Sequence, residues 1–147
     1  MSFSMCKNIV VSDILNIPGI GHGFGTRLGG ISDDRYTASM NISFGRGDSE
    51  DTVRKNIELL SEMCGLPYDG VVFSDQIHSS KVLYKNIDAC GEGVIRKAPE
   101  ECDGFITDIP GVVLAVKTAD CVPILMVGFK DDNSPVVCAL HAGWRGT

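Results

Sequence analysis

The sequence predicts a fold of mixed α and β structure with layered packing. Three observations carry this: one well-bounded helical pattern at residues 50–64, a series of short β-type apolar runs after it, and ordinary globular usage, 44% hydrophobic and 22% charged over 147 residues. A chain of this size buries roughly two thirds of its unfolded surface, enough for one core without cross-links. There is no repeat, low-complexity tract or long linker, so a single domain over 1–147 is the expectation.

In chain order, residues 8–11 and 20–26 read as short strands, separated by Pro18 and Gly19. From Arg27 to Asn41 the chain mixes Gly29, Gly30, Ser32, Asp33 and Asp34 with few apolar residues, the composition of a surface loop long enough to be functional. The helix is expected from Glu50 to Cys64, because Val53, Ile57, Leu60 and Cys64 recur on one face. Asp48 or Ser49 can cap its first turn, and Gly65 followed by Pro67 ends it.

The second half is sheet-rich: Val71–Phe73, Lys81–Tyr84, Gly104–Thr107, Val112–Val116, Ile124–Phe129 and Val136–Leu140. Val112–Val116 is apolar without alternation, as in a strand covered on both faces. Asp131–Ser134 suits a hairpin turn between the last two runs. Gly143–Thr147 is a glycine-rich turn of the kind that opens a helix, and that helix is expected to lie beyond the last residue.

A net charge of −6 and a pI near 4.9 argue against sequence-independent nucleic-acid binding, which needs a basic surface. A small substrate fits better, and a few arginines in a cleft still allow an anionic one. The N-terminal residues lack a signal-peptide apolar core, and no stretch approaches the ~20 apolar residues that span a bilayer. The cytoplasm is the expected compartment, without membrane partners. Six cysteines then argue less for disulfides than for thiols, and none forms a CxxC pair. Cys64 and Cys138 sit in apolar patterns and read as small core residues.

Chemistry concentrates at a few strand ends. His78 follows Gln76 in QIHSS, Cys121 closes KTADC, and His141 opens HAGWRG. Two imidazoles and a thiolate are a sound zinc set with a fourth position for water or substrate. The same set also suits a blue-copper centre with Met126 as axial ligand. Alternatively, Cys121 with His141 as base is a thiol-nucleophile pair. Each residue could equally be an ordinary polar or core residue. Asp120, beside Cys121, could orient a ligand histidine, handle a proton or simply form a turn; Asp103 in CDGFITD has the same ambiguity. Arg27 in TRLGG stands where glycines let a backbone approach an anion, and Arg145 in GWRG invites the same comparison. Trp144 reads as a packing residue.

Taken together, HGFGTRLGG, the QIH of Gln76–His78, CDGFITD, TADCVPIL and HAGWRGT resemble the YfiH family, once called laccase-like or multicopper polyphenol oxidases and described as purine nucleoside phosphorylases. The pairing of TADC with HAGWRG is the most specific part. The resemblance implies a layered α/β sandwich with a mixed sheet, related to bacterial toxin deamidases. It implies zinc, rather than copper, on His78, Cys121 and His141, and phosphorolysis of adenosine, inosine and methylthioadenosine, with adenosine deaminase activity in the same site. The substrates would be a purine nucleoside and phosphate; catalytic roles fall to Cys121, His78, His141 and Asp120, and binding roles to Arg27, Arg145 and Gln76. Family members run longer than this chain, so the resemblance also implies a further C-terminal segment.

Overall fold

The computed structural model describes residues 2–145, which fall into two compact units divided between Tyr68 and Asp69. Each forms its own sheet structure, so the fold is mixed α and β with parallel and antiparallel pairings. Among the described residues, no helix is long and apolar enough to cross a membrane.

In the first unit, β1 (Phe3–Cys6) and β2 (Ile9–Ser12) form an antiparallel hairpin, turned through Lys7 and Asn8 with positive φ of 48° and 67°. A two-residue strand, β3 (Phe24–Gly25), joins β2. β1 was not expected from the sequence, since its four residues are all exposed and show no buried alternation. The expected strand at 20–26 contracts to β3, where the glycines leave little side chain to pack.

The helix α1 runs over Glu50–Cys64 as the pattern predicts. Ser49 is the cap: its hydroxyl accepts the Thr52 amide at 3.1 Å, and Gly65 ends the last turn in the left-handed region at φ 68°. The buried face carries Val53 and Ile57 but also Asn56 and Ser61. Asn56 is fully buried and satisfied, accepting the Ile31 amide and donating to Ser32 Oγ and Asn41 O, so it ties the 27–41 loop to the helix.

The second unit builds the site. A two-strand parallel pair joins β4 (Val71–Val72) to β7 (Val113–Leu114). A four-strand mixed sheet has the order β5 (Val82–Tyr84), β6 (Gly104–Thr107), β9 (Pro135–Ala142) and β8 (Val122–Phe129). β5 and β6 are parallel; β6, β9 and β8 are antiparallel. The hairpin between β8 and β9 turns where expected, with Ser134 N bonded to Asp132 and Asn133 at φ 64°. The core beneath the sheet gathers Val72, Ala89, Cys102, Phe105 and Val112. Of the six expected runs only Gly104–Thr107 keeps its bounds, and two differ most. The Val112–Val116 run pairs only at Val113–Leu114 and is half-buried there, whereas β9 continues past Leu140 to Ala142 because its backbone pairs with β8 to that point.

Candidate metal centre

Register brings the site residues together. In β8–β9, Val122 faces Ala142 and Pro123 faces His141, which sets Cys121 one step beyond the ladder beside Gly143. In β6–β9, Gly104 faces Leu140, so Asp103 is the next step toward His141, and the His141 amide donates to Asp103 O at 2.7 Å. His78 comes from the connection between β4 and β5. The ligand atoms of His78, Cys121 and His141 all lie within 4.8 Å of one another, with His141 buried and the other two half-buried. The two imidazoles meet edge to face, ring centroids 4.8 Å apart.

Two further residues organise this cluster. The Asp103 side chain is 2% exposed and its carboxylate accepts the amides of Ile77 (3.2 Å), His78 (2.9 Å) and Ser79 (2.7 Å), the Ser79 hydroxyl (2.8 Å) and His141 Nδ1 (2.8 Å). Burial pushes its pKa up, but the bonds from Ser79, His141 and His78 outweigh that and hold it down at about 2. A carboxylate accepts at this contact, so in the neutral tautomer that donates through Nδ1 the Nε2 of His141 is the atom left for a ligand. Gly143 supplies space: a Cβ there would lie 2.5 Å from His78 Nδ1 and 3.0 Å from His141 Cε1.

The site fits a metal by its own geometry. His78 Nδ1 is buried and has no hydrogen-bond partner among the described residues, an unpartnered ring nitrogen beside a thiol and a second imidazole. A cation would satisfy it. Copper of the blue type would need an axial ligand, and Met126 is four residues along β8 from Val122, roughly 13 Å at strand rise. The third histidine, His22, is used elsewhere: its Nε2 accepts the Ser12 amide at 3.0 Å.

The remaining predicted residues stand as follows. Gln76 bridges to the connection between β7 and β8 that leads to Cys121: its Nε2 donates to Lys117 O and its Oε1 accepts the Lys117 amide, both at 2.7 Å. Asp120 is exposed, and the carboxylate on His141 is that of Asp103. Arg27, in the first unit, is exposed, with Nε and Nη2 donating to Ala38 O at 3.2 and 2.7 Å. Arg145 is exposed, its guanidinium 4.5 Å from the centroid of the Trp144 ring. Trp144, read from sequence as a packing residue, is 74% exposed. The end of the expected Gly143–Thr147 turn, at Gly146 and Thr147, lies outside the described residues. None of the six cysteines is in a disulfide; burial raises the thiol pKa of the half-buried Cys64 and Cys138. Sequence reasoning gave Asp103 no preference, and its signal is the register: it stands one residue before β6, opposite a histidine on β9.

Comparison with known proteins places the chain in a family. The family profile described as multi-copper polyphenol oxidoreductase laccase matches residues 21–147. A purine nucleoside phosphorylase of Corynebacterium glutamicum is 39% identical over 123 residues, 84% of this chain and 47% of that protein. The purine nucleoside phosphorylase YfiH of Escherichia coli K12 is 37% identical over 121 residues, 82% of this chain and 45% of that one. The crystal structure of the hypothetical protein YfiH from Bacillus licheniformis superposes with a TM-score of 0.84 at 28% identity, covering 98% of this chain and 53% of that one. The chain thus spans about half the length of the relatives it matches. With a family profile matched from residue 21 onward and relatives of this similarity, the chain belongs to the laccase-like family that includes YfiH.

Proposed function

We propose that this chain carries the metal centre of a zinc-dependent purine nucleoside phosphorylase, converting adenosine, inosine or methylthioadenosine and phosphate to free base and a pentose 1-phosphate. The observation that carries the reading is the orphaned His78 Nδ1 within the His78–Cys121–His141 cluster. Three protein ligands with an open side are the pattern of catalytic rather than structural zinc. The names of the relatives supply the reaction class.

Zinc bound there supplies a Lewis acid that polarises an oxygen or acidifies a water, which also accounts for a proposed adenosine deaminase activity. The chain's own residues do the rest. Cys121 binds as thiolate, and His141 binds through Nε2 because Asp103 occupies Nδ1. Phosphorolysis forms a bond from a phosphate oxygen to C1′ and breaks the bond from C1′ to the purine nitrogen, and the departing purine takes up a proton. Asp120, exposed beside Cys121, is our proposed carrier for exchanging that proton with water. Arg27 is proposed to hold phosphate on the chemistry of its motif, a guanidinium in the glycine-flanked TRLGG loop. Arg145 is the second proposed anion contact, and Gln76 is proposed to assist substrate binding from its place against Lys117.

The test is release of hypoxanthine from inosine in a full-length relative, with and without phosphate. Arg27→Ala at the matching position is expected to raise the phosphate KM about tenfold or more while sparing adenosine deamination; this is on the scale of losing one charge-assisted hydrogen bond. Equal loss of both activities with the fold intact would contradict the assignment.

One observation favours a second reading. Asp103, His141 and Cys121 stand in the order orienter, base and nucleophile, the arrangement of a cysteine hydrolase or deamidase. A thiol that forms a trappable acyl adduct in protein stripped of metal would support it.

A further inference from the structure

We propose that Asp103 is the positioning residue that fixes both histidine ligands at once, by gathering the backbone around His78 and the ring of His141 onto one buried carboxylate. The inference rests on reading the cluster as a metal site. It goes beyond that reading by assigning the preorganisation of the site to a residue that is not itself among the ligands.

The geometry is specific. Oδ1 is shared: it accepts the His78 amide at 2.9 Å and His141 Nδ1 at 2.8 Å. Oδ2 takes the Ile77 and Ser79 amides and the Ser79 hydroxyl. Three successive amides converging on one anion form a nest. That nest holds His78 at φ 59°, a left-handed conformation unfavourable for a non-glycine residue, so the strained backbone that aims His78 is held by Asp103. The same carboxylate sets the tautomer of His141. His78 and His141 lie far apart in the chain, and one oxygen atom joins them.

Asparagine is the informative replacement because it keeps shape while removing one acceptor. If its NH2 takes the place of Oδ2, it faces the Ile77 and Ser79 amides, donor against donor. If it takes the place of Oδ1, it faces the His78 amide and forces His141 to accept through Nδ1, which puts the proton on Nε2 and spoils it as a ligand. The first orientation keeps both Oδ1 bonds but breaks the nest that shapes the backbone around His78, and the second also loses the donor bond from His141, so neither keeps the whole arrangement.

The experiment is chelator competition with zinc alone on the full 147-residue chain, for wild type and Asp103→Asn, with circular dichroism to follow folding and the visible spectrum of the cobalt(II)-substituted protein to report coordination. Loss of a single outer-shell partner lowers metal affinity roughly 10–100-fold, and a partner serving two ligands is expected at the upper end, about 100-fold, with altered cobalt bands. Zinc affinity within threefold of wild type and an unchanged cobalt spectrum would overturn the proposal. If Asp103→Asn does not fold, Ser79→Ala removes the hydroxyl contact on the His78 side alone; a loss of about tenfold supports the proposal, and none overturns it. Wild-type protein that takes up neither metal overturns the metal reading, and this proposal with it.

Discussion

Alanine at Cys121, His78 or His141 is expected to remove bound zinc and turnover together, the largest functional effect in the molecule. In the proposed site each supplies one of the three donors grouped among the described residues, and each is placed by main-chain geometry: β9 carries His141, the step beyond β8 carries Cys121, and the nest on Asp103 carries His78. Zinc affinity should therefore fall by more than the roughly 10–100-fold expected from an outer-shell change. Thiolate binding links the sulfur to the metal, so Cys121→Ala must lose both properties if Cys121 is a ligand. Metal content is measured in this chain, and inosine phosphorolysis at the matching positions of a full-length relative. Cys121→Ala that keeps its zinc and loses turnover would transfer the sulfur to the cysteine-hydrolase reading.

Phe105→Ala is expected to give the largest loss of stability. Phe105 is 1% exposed, lies on β6 opposite Ala139, and is surrounded by Val72, Ala89, Cys102 and Val112. Truncating a buried phenylalanine costs about 3–5 kcal/mol, against roughly 5–15 kcal/mol for a whole domain. Since Asp103 is two residues away on the same run, the site should be lost with the core. Urea unfolding followed by circular dichroism checks this: the midpoint should fall sharply with the slope retained. Phe105→Leu, which keeps more of the volume, should cost less. Equal midpoints for wild type and Phe105→Ala would mean that this core does not hold the second unit.

The sequence made α1 legible to the residue because apolar periodicity, a serine cap and a left-handed glycine agree there. What lay against the helix was not legible. Asn56 is fully buried through bonds to Ile31, Ser32 and Asn41, partners that only the fold brings near. The strands of the second half were visible as apolar runs, whereas their ends were not. His141 seemed to follow a strand because the apolar pattern stops at Leu140, yet backbone pairing carries β9 on to Ala142.

The same division holds at the site. His78, Cys121 and His141 could be chosen by residue type and by their place at the ends of runs, and the structure brings the three together. Asp103 could not be preferred over Asp120 from sequence. Both are acidic residues at strand ends, and the difference lies in pairings 24 to 38 residues distant in the chain. Gly143 looked like a turn former; in the fold it also leaves the room that the His78 ring occupies.

Elemental analysis of the purified chain tests the central claim most directly. A single zinc per chain, retained through dialysis and lost in His141→Ala, is the predicted result. Stoichiometric copper with an intense visible thiolate band, or a metal content unchanged by His141→Ala, would contradict it.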